Sequence, residues 1–335
     1  MAMARQSFCW KKIPQVDFVG EMADDYGGPK REFLRLLMVE VHSSLGVFEG
    51  QPGNMFFTYD VEALSKNKYF LAGKLTAWAI FHDGPGPRGL NKTLYHMMCG
   101  QRADVSAQLP DLPVDSNVQQ NIEKVWNCSS SEQLEQLKED LGDWVASCGM
   151  PGIYGATMED LPSLRSAVVE HYVFHRLASM VNQYISGFNS CGGFWQVVER
   201  HCIQFLPVFT NVGEKLGRSC MQSLFIKWSP PGSNRREAEE QTIFWWDWWL
   251  VAIQDGKVDI SFEQILVFVS GVDTIPPLGF SPNPSVEFFD QEPGEQRLPY
   301  SPTCSITLFL PRGVKCEEQF KAMMEIKGSH GFGKV

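Results

Sequence analysis

Residues 297–311, RLPYSPTCSITLFLP, are the stretch from which the rest of the chain can be interpreted, because they carry one cysteine after two prolines and before a strand-forming run. Pro302 has no amide hydrogen and a fixed φ, so it stiffens the loop that carries Cys304. The residues that follow, SITLFL, are rich in the β-branched and aromatic types that favour strands. The stretch predicts a loop that ends where a strand begins. By itself it does not distinguish a reactive cysteine from a small buried one.

The composition is that of a globular protein with a sizeable core. The chain has 335 residues, 44% of them hydrophobic, and a chain of this length is expected to form about two domains. The formal charge is −10 and no basic run exceeds two residues, so no nucleic acid is expected as a partner. The apolar runs fall short of the ~20 residues of a membrane helix and the first residues lack a signal-peptide pattern, so no membrane is expected as a partner either.

The cysteines and histidines do not predict a metal or a cofactor. The nine cysteines contain no Cys-x-x-Cys pair, so the usual zinc and thioredoxin-type patterns are missing. Such free cysteines favour a reducing compartment, the cytoplasm or the nucleus. His171 and His175 lie one helical turn apart, but Tyr172 stands where the metalloprotease motif has glutamate, and no third ligand is evident.

A second cysteine lies beside a glycine turn. Cys191 precedes Gly192-Gly193 and is interpreted as a small buried residue. A cysteine hydrolase that uses Cys191 or Cys304 remains an alternative, because His330 could approach Cys304 in the fold.

Hydrophobic periodicity predicts an α+β fold with a mainly helical large lobe and a small α+β lobe. Helices are predicted over 31–45, 66–84, 130–144, 163–186, from 194, and over 243–253, 262–271 and 317–327, and strands over 286–289 and 305–311. The mostly apolar face of the first helix is predicted to comprise Phe33, Leu36, Leu37, Glu40 and Val41. The polar tract SPPGSNRREAEEQT, residues 229–242, has no apolar anchor and is predicted to be a flexible connection between the lobes.

The run WWDWW, residues 245–249, is the densest aromatic segment. On a helix, Trp245 shares a face with Trp248 or Trp249, while Trp246 lies well round from them. The preferred interpretation is core together with a contact between lobes, and the alternative is an exposed aromatic contact for a partner.

Three segments in the last 70 or so positions together resemble the HECT-type ubiquitin ligases. FVSGVDTIPPLGF (268–280) resembles the family segment in which a helix ends before a proline-glycine-phenylalanine turn. LPYSPTCSITLFLP (298–311) is similar to the family's Leu-Pro, Thr-Cys and Leu-x-Leu-Pro pattern, and GSHGFGKV (328–335) resembles its Gly-Phe-Gly ending.

Two segments near the amino terminus extend the resemblance. DDYGGPKREF (24–33) is similar to the family's Asp-x-Gly-Gly-x-x-Arg-Glu-Phe motif, and YFLAGKLTAWAIFHDG (69–84) to its Phe-x-x-Gly-Lys helix. The tract at 229–242 resembles the G2/M-phase-specific ligase-like branch of the family more than the better-known branch. The resemblance implies a bilobal HECT-like fold, with a large lobe over residues 1–240 and a small lobe with the catalytic cysteine over residues 241–335.

The resemblance also implies a mechanism and its partners. A ubiquitin-conjugating enzyme would transfer ubiquitin to Cys304 as a thioester, and Cys304 would pass it to a lysine of a protein substrate, without a metal or a cofactor. Thioester exchange between thiols does not require a dedicated base. The supporting residues implied by the family pattern are Thr303, Pro302, Leu298, Pro299 and Phe332.

Two roles are open for Thr303 and for Phe332, and one effect is expected for Pro302. Thr303 either hydrogen-bonds to the ubiquitin tail or fixes the turn. Pro302 stands where many members have histidine, which is expected to affect the rate. Phe332 either helps to place the acceptor lysine or packs the carboxyl-terminal tail.

Residues 126–200 depart from the family. Many members carry there a partly stranded subdomain that docks the conjugating enzyme, whereas this segment is predicted to be helical around glycine turns. The alternative function that follows is a HECT-like module without transfer activity, which binds ubiquitin or serves as a scaffold.

Overall fold

The structure is a computed structural model that describes residues 9–19, 27–101, 112–212, 216–276, 279–291 and 297–329. Contacts between residues divide the chain into two compact units. The unit that contains Cys304 comprises residues 1–38, 79–85 and 214–335 and is called the cysteine unit below. The other comprises residues 39–78 and 86–213 and is called the helical unit.

The chain up to residue 212 is mainly helical. Its elements are α1 Gly28–Ser43, β1 Phe48–Gln51, β2 Asn54–Phe57, α2 Val61–Ser65, α3 Lys68–Phe81, α4 Lys92–Met98, α5 Ser116–Asn127, α6 Ser131–Ser147, α7 Leu161–Val173, α8 Ala178–Asn189, α9 Phe194–Arg200 and α10 Cys202–Phe209. Short 3-10 segments cover Pro151–Gly155 and His175–Leu177. β1 and β2 form an antiparallel hairpin in which Phe48 pairs with Phe57.

Capping side chains lie at the amino ends of α5 and α6. The carboxylate of Asp115 accepts hydrogen bonds from the amides of Asn117 and Val118 at the start of α5. The hydroxyl of Ser130 accepts one from the amide of Gln133 at the start of α6. The predictions of a helix from Ser130 and of helical structure through residues 126–200 are confirmed.

Two glycines allow α3 and α8 to meet at backbone distance in the helical unit. A Cβ at Gly73 would lie 1.9 Å from the carbonyl oxygen of Tyr184, and one at Gly187 would lie 1.9 Å from that of Phe70. No larger side chain fits at either position unless the helices move apart. Gly73 is the glycine of the Phe-x-x-Gly-Lys segment, whose helix is confirmed.

The cysteine unit contains a parallel sheet flanked by helices. Its elements, besides the first part of α1, are α11 Arg218–Gln222, β3 Phe225–Ile226, α12 Asn234–Gln254, α13 Phe262–Ser270, β4 Ser285–Phe289, β5 Thr307–Pro311 and α14 Glu317–Ser329. The strand order is β3-β4-β5, and Ser285 pairs with Thr307 at the amino ends of β4 and β5. The predictions of two strands, the two helices before them and a final helix are confirmed, and so is the α+β class.

The polar tract at 229–242 differs from its prediction. From Asn234 onward it is the first part of α12, which begins at the capping residue Ser233 and continues to Gln254. Glu239 within it is 0% exposed and is bonded to Ser229 and to Arg312. A buried carboxylate whose oxygens are all paired anchors the helix as an apolar residue would. The hydrophobic pattern of the sequence does not reveal such an anchor.

The predicted lobe boundary between residues 240 and 241 therefore falls inside α12. Contacts instead keep residues 214–335 together and add residues 1–38 and 79–85 to them. The division into a HECT-like large lobe over 1–240 and a small lobe over 241–335 stays a prediction.

Two helix faces differ from the prediction. The buried stripe of α1 consists of Arg31, Leu34, Met38 and Val41, whereas Leu36 is 39% exposed and Glu40 lies at the surface. In α12, Trp246 and Trp249 are buried with ring centroids 5.7 Å apart, and Trp245 and Trp248 are half-buried. The tryptophan run thus contributes to the core through a different pair than expected.

Within the part of the chain that the structure describes, none of the helices combines the length and the apolar content that a membrane crossing requires.

Candidate functional site

Cys304 lies in a tight turn directly before β5. The amide of Ser305 donates to the carbonyl oxygen of Pro302 at 3.1 Å, and the amide of Ile306 donates to that of Thr303 at 3.3 Å. Cys304 is partly exposed. None of the described residues forms a hydrogen bond with its thiol.

The turn closes on a residue with an unusual backbone conformation. Ile306 has a φ of +51°, in the left-handed region that β-branched residues avoid. Its side chain is 0% exposed and belongs to the hydrophobic core of the cysteine unit. Its carbonyl oxygen accepts a hydrogen bond of 3.0 Å from the amide of Ser285. Such a conformation costs on the order of 1–3 kcal/mol and persists because the surrounding contacts determine it.

Hydroxyl groups tie the turn to the neighbouring elements. The hydroxyl of Ser301 lies 2.8 Å from the carbonyl oxygen of Thr307 and 3.2 Å from that of Val269 in α13. The hydroxyls of Ser285 and Thr307 lie 3.2 Å apart in the buried first pair of β4 and β5. Both ends of the turn are therefore held to the sheet and to α13.

The first turn of α1 contacts the same turn from another side. The guanidinium of Arg31 donates through Nε to the carbonyl oxygen of Ser270 at 2.8 Å and through Nη2 to that of Thr303. A Cβ at Gly28 would lie 2.1 Å from Oγ1 of Thr303 and 3.1 Å from the amide nitrogen of Cys304. The backbone of α1 thus lies directly against Thr303 and Cys304.

Sequence reasoning missed the roles of Gly28 and Arg31. Both belong to the segment DDYGGPKREF, which the family resemblance singled out without connecting it to Cys304. A second signal was present, because Arg31 precedes Leu34 and Met38 at helical spacing and so lies on the buried stripe of α1. A charged residue on a buried stripe indicates a specific partner.

The other residues of the implied site lie around the turn or outside the described residues. Pro302 is exposed and Thr303 is partly exposed. Pro299 is buried, and Leu298 packs against the hydrophobic core of the cysteine unit. Phe332 and His330 lie outside the described residues. The structure therefore brings Leu298, Pro299, Pro302 and Thr303 to the Cys304 turn and its approach.

Cys191 is partly exposed, which differs from the prediction of a small buried residue. Burial raises the pKa of its thiol, against small opposing contributions from Ser190 and Lys74. Gly192 and Gly193 beside it have φ of +82° and +75° and form the predicted interruption before α9. A raised thiol pKa lowers the thiolate fraction at neutral pH and opposes a role as nucleophile.

The helical unit contains a cysteine–histidine contact that spacing did not indicate. Sγ of Cys202 lies 3.7 Å from Nδ1 of His96. Cys202 is 3% exposed, and burial raises the pKa of the neighbouring Cys99 to about 12. The burial of Cys202 and the raised pKa of the partly exposed Cys99 oppose a role of either thiol as a nucleophile.

His171 and His175 do not share one α-helix, because α7 ends at Val173 and His175 begins the following 3-10 segment. Burial lowers the pKa of His171, with further lowering from Arg176, and Nε2 of His175 lies 3.8 Å from the carboxylate of Glu170. Across the described ranges, no group of three or more histidine, cysteine, aspartate and glutamate side chains is arranged to hold a metal ion.

The chain is similar to three curated proteins that share one name. No model of a known protein family matches it. It is 29% identical over 265 residues to a chicken protein named G2/M phase-specific E3 ubiquitin-protein ligase. It is 26% identical over 263 residues to proteins of the same name from human and from the macaque Macaca fascicularis. The matches cover 78–79% of this chain but only 34–36% of those proteins, so the chain spans about a third of the length of these relatives. The similarity supports a relationship of this chain to E3 ubiquitin ligases.

Proposed function

We propose that this chain is a HECT-type E3 ubiquitin ligase domain that accepts ubiquitin as a thioester on Cys304 and transfers it to a lysine of a protein substrate. The observation that carries the proposal is the position of Cys304, in a partly exposed turn held by β4, β5, α13 and α1. The cysteine lies in the Leu-Pro…Thr-Cys pattern by which the chain resembles the family, and its relatives are named E3 ubiquitin ligases.

The first step is an exchange between a thiol and a thioester. The thiolate of Cys304 attacks the carbonyl carbon of the carboxyl-terminal residue of ubiquitin, which is bound to the cysteine of a conjugating enzyme. A new C–S bond forms to Cys304, the C–S bond to the conjugating enzyme breaks, and the leaving thiolate takes up the proton that Cys304 lost. The two thiols are of similar basicity, so no acid or base beside Cys304 is needed.

The second step transfers ubiquitin to the substrate. The neutral amine of a lysine attacks the thioester carbon, a C–N bond forms, and the C–S bond to Cys304 breaks. The amine loses a proton and the thiolate of Cys304 is regenerated. A thioester is more easily attacked than an amide, which fits a thiol without a hydrogen-bonded histidine among the described residues.

The proposed partners are ubiquitin, a ubiquitin-conjugating enzyme and a protein substrate. The helical segment at 126–200 has no residues that we assign to docking of the conjugating enzyme. It motivates the alternative, a HECT-like module that binds ubiquitin or serves as a scaffold without transferring it.

The test is the formation of an adduct on Cys304. The domain is incubated with activating enzyme, ATP, ubiquitin and a panel of conjugating enzymes, and the products are separated with and without reductant. We expect a band that reductant removes and that Cys304→Ala does not form. In Cys304→Ser the adduct becomes an oxyester, which resists reductant and is cleaved by hydroxide.

Cys316→Ala is the matched control, because Cys316 is an exposed cysteine of the same unit. It is expected to form the adduct as the unchanged domain does. An adduct that survives in Cys304→Ala contradicts the proposal. Ubiquitin binding without an adduct from any conjugating enzyme favours the scaffold, and cleavage of ubiquitin amides without activating enzyme favours a hydrolase.

A further inference from the structure

We infer that Arg31 is a positioning residue for Cys304, and that the first turn of α1 is the support on which the Cys304 turn is held. This inference deepens the proposed function and rests on it. Nothing in the family pattern at Cys304 itself identifies Arg31, which lies 272 positions from Thr303 in sequence.

The guanidinium of Arg31 joins two backbone segments by hydrogen bonds. Its side chain is buried, and Nε and Nη2 donate to the carbonyl oxygens of Ser270 and Thr303. Ser270 is the last residue of α13 and Thr303 directly precedes Cys304. The planar guanidinium has donors in fixed directions and stays charged at all accessible pH values, so it fixes the two carbonyl groups relative to each other.

Two glycines allow the backbone of α1 to lie close to α13 and to the Cys304 turn. Gly28 has no side chain where a Cβ would overlap Oγ1 of Thr303. Gly271 directly follows α13 with a φ of +83°, and a Cβ there would lie 3.3 Å from the carbonyl oxygen of Gly28. The close contact between α1, α13 and the turn is thus built into the backbone and does not depend on Arg31 alone.

The contact acts on the peptide unit that carries the nucleophile. The carbonyl group of Thr303 and the amide nitrogen of Cys304 belong to one planar peptide, so fixing the carbonyl fixes the plane from which the Cys304 side chain projects. Thioester exchange requires the sulfur to approach the carbonyl carbon along a narrow range of directions. A misplacement of about 1 Å costs up to ~100-fold in rate.

The test compares Arg31→Met with Arg35→Met, a matched control one helical turn further along α1. Arg35 pairs with Glu32 and makes no hydrogen bond to Thr303 or Ser270. Single-turnover transfer from a charged conjugating enzyme to Cys304 is measured over a range of its concentration. We expect Arg31→Met to lower the maximal rate ~10- to 100-fold with an unchanged half-saturating concentration, Arg31→Lys to recover part of it, and Arg35→Met to transfer normally.

A second variant keeps the proposal testable if Arg31→Met does not fold. Gly28→Ala leaves Arg31 in place but pushes on Oγ1 of Thr303, and it is expected to lower the maximal rate as well. Alkylation of Cys304 by iodoacetamide serves as the control for the thiol itself. This small reagent needs no fixed direction of approach, so its rate is expected to change less than about threefold in each variant.

Hydrogen exchange separates this inference from the proposed function, because it does not involve ubiquitin. The peptide that contains residues 303–306 is expected to exchange faster in Arg31→Met than in Arg35→Met. Equal exchange in folded variants, or a full transfer rate in folded Arg31→Met, overturns the positioning role. Faster exchange in a domain that forms no ubiquitin adduct supports the positioning role while the proposed function fails.

Discussion

The guanidinium of Arg31 donates a hydrogen bond to the carbonyl oxygen of Thr303, the residue before Cys304. The two residues belong to segments at opposite ends of the chain, each of which separately resembles a ubiquitin ligase motif. Their contact means that changes in the amino-terminal motif are expected to act on the chemistry of the carboxyl-terminal cysteine.

Gly73→Ala is expected to destabilise the helical unit. The added methyl group would lie 1.9 Å from the carbonyl oxygen of Tyr184, so α3 and α8 must separate. Overpacking of this kind costs typically ~1–3 kcal/mol or more of the free energy of unfolding. Thermal or urea unfolding measures it. Gly152→Ala is the control, because no atom lies within 4 Å of its added Cβ. Equal stability of the two variants would contradict the close helix contact.

Arg312→Met is expected to destabilise the cysteine unit by about 3 kcal/mol or more, because it leaves the buried carboxylate of Glu239 without its cation. Unfolding in urea measures the loss. The double variant Glu239→Gln with Arg312→Met is expected to lose less than the sum of the single variants. The control is Arg235→Met, whose exposed pair with Asp290 contributes at most ~1 kcal/mol. A small effect of Arg312→Met would show that the pair does not anchor α12.

Stability is expected to fall as the pH is lowered from 6.5 towards 4. Burial lowers the pKa of His42 to about 4, and its Nε2 has no hydrogen-bond partner among the described residues. Below an ordinary pKa of about 6.5 the unfolded chain binds a proton that the folded chain does not, so up to ~1.4 kcal/mol is lost per pH unit. Urea unfolding at several pH values measures this slope. His42→Phe, which keeps a ring beside Phe48, is expected to reduce it, and an unchanged slope would assign the effect to other groups.

Brief alkylation of the folded chain is expected to modify the exposed cysteines faster than the buried ones. Burial raises the pKa of Cys99 to about 12 and that of Cys148 to about 11, so both hold little thiolate at pH 8. Exposed Cys9 and Cys316 and partly exposed Cys304 are expected to react first. Peptide mass spectrometry follows each site, and the chain unfolded in urea, in which all cysteines react, is the reference. Modification of Cys148 as fast as Cys316 would show that its site opens readily.

Local sequence patterns were sufficient to predict most of the helices and strands of the described residues. The strand after Cys304, the two helices before β4, the final helix and the helical structure of residues 126–200 were predicted from periodicity, capping residues and glycine turns. These signals are local because a helix or strand is selected by residues a few positions apart. The residue patterns also predicted that Cys304 lies in a loop directly before a strand.

Contacts between distant residues could not be predicted in this way. The predicted face of α1 did not include Arg31, whose burial is explained by its hydrogen bonds to Ser270 and Thr303. The tract at 229–242 was taken for a connection because the partner of Glu239, Arg312, lies 73 positions away. In both places burial of a charge depends on groups that periodicity does not bring together.

The sequence by itself determined the fold class, the position of a cysteine before a strand and the resemblance to ubiquitin ligases, because these depend on short-range spacing. The tertiary structure alone decided that α1, α13 and the Cys304 turn meet at two glycines and one buried arginine. This contact depends on the packing of backbone segments hundreds of residues apart. It also depends on hydrogen bonds to the carbonyl groups that become buried there. The support of Cys304 is therefore a property of the folded chain.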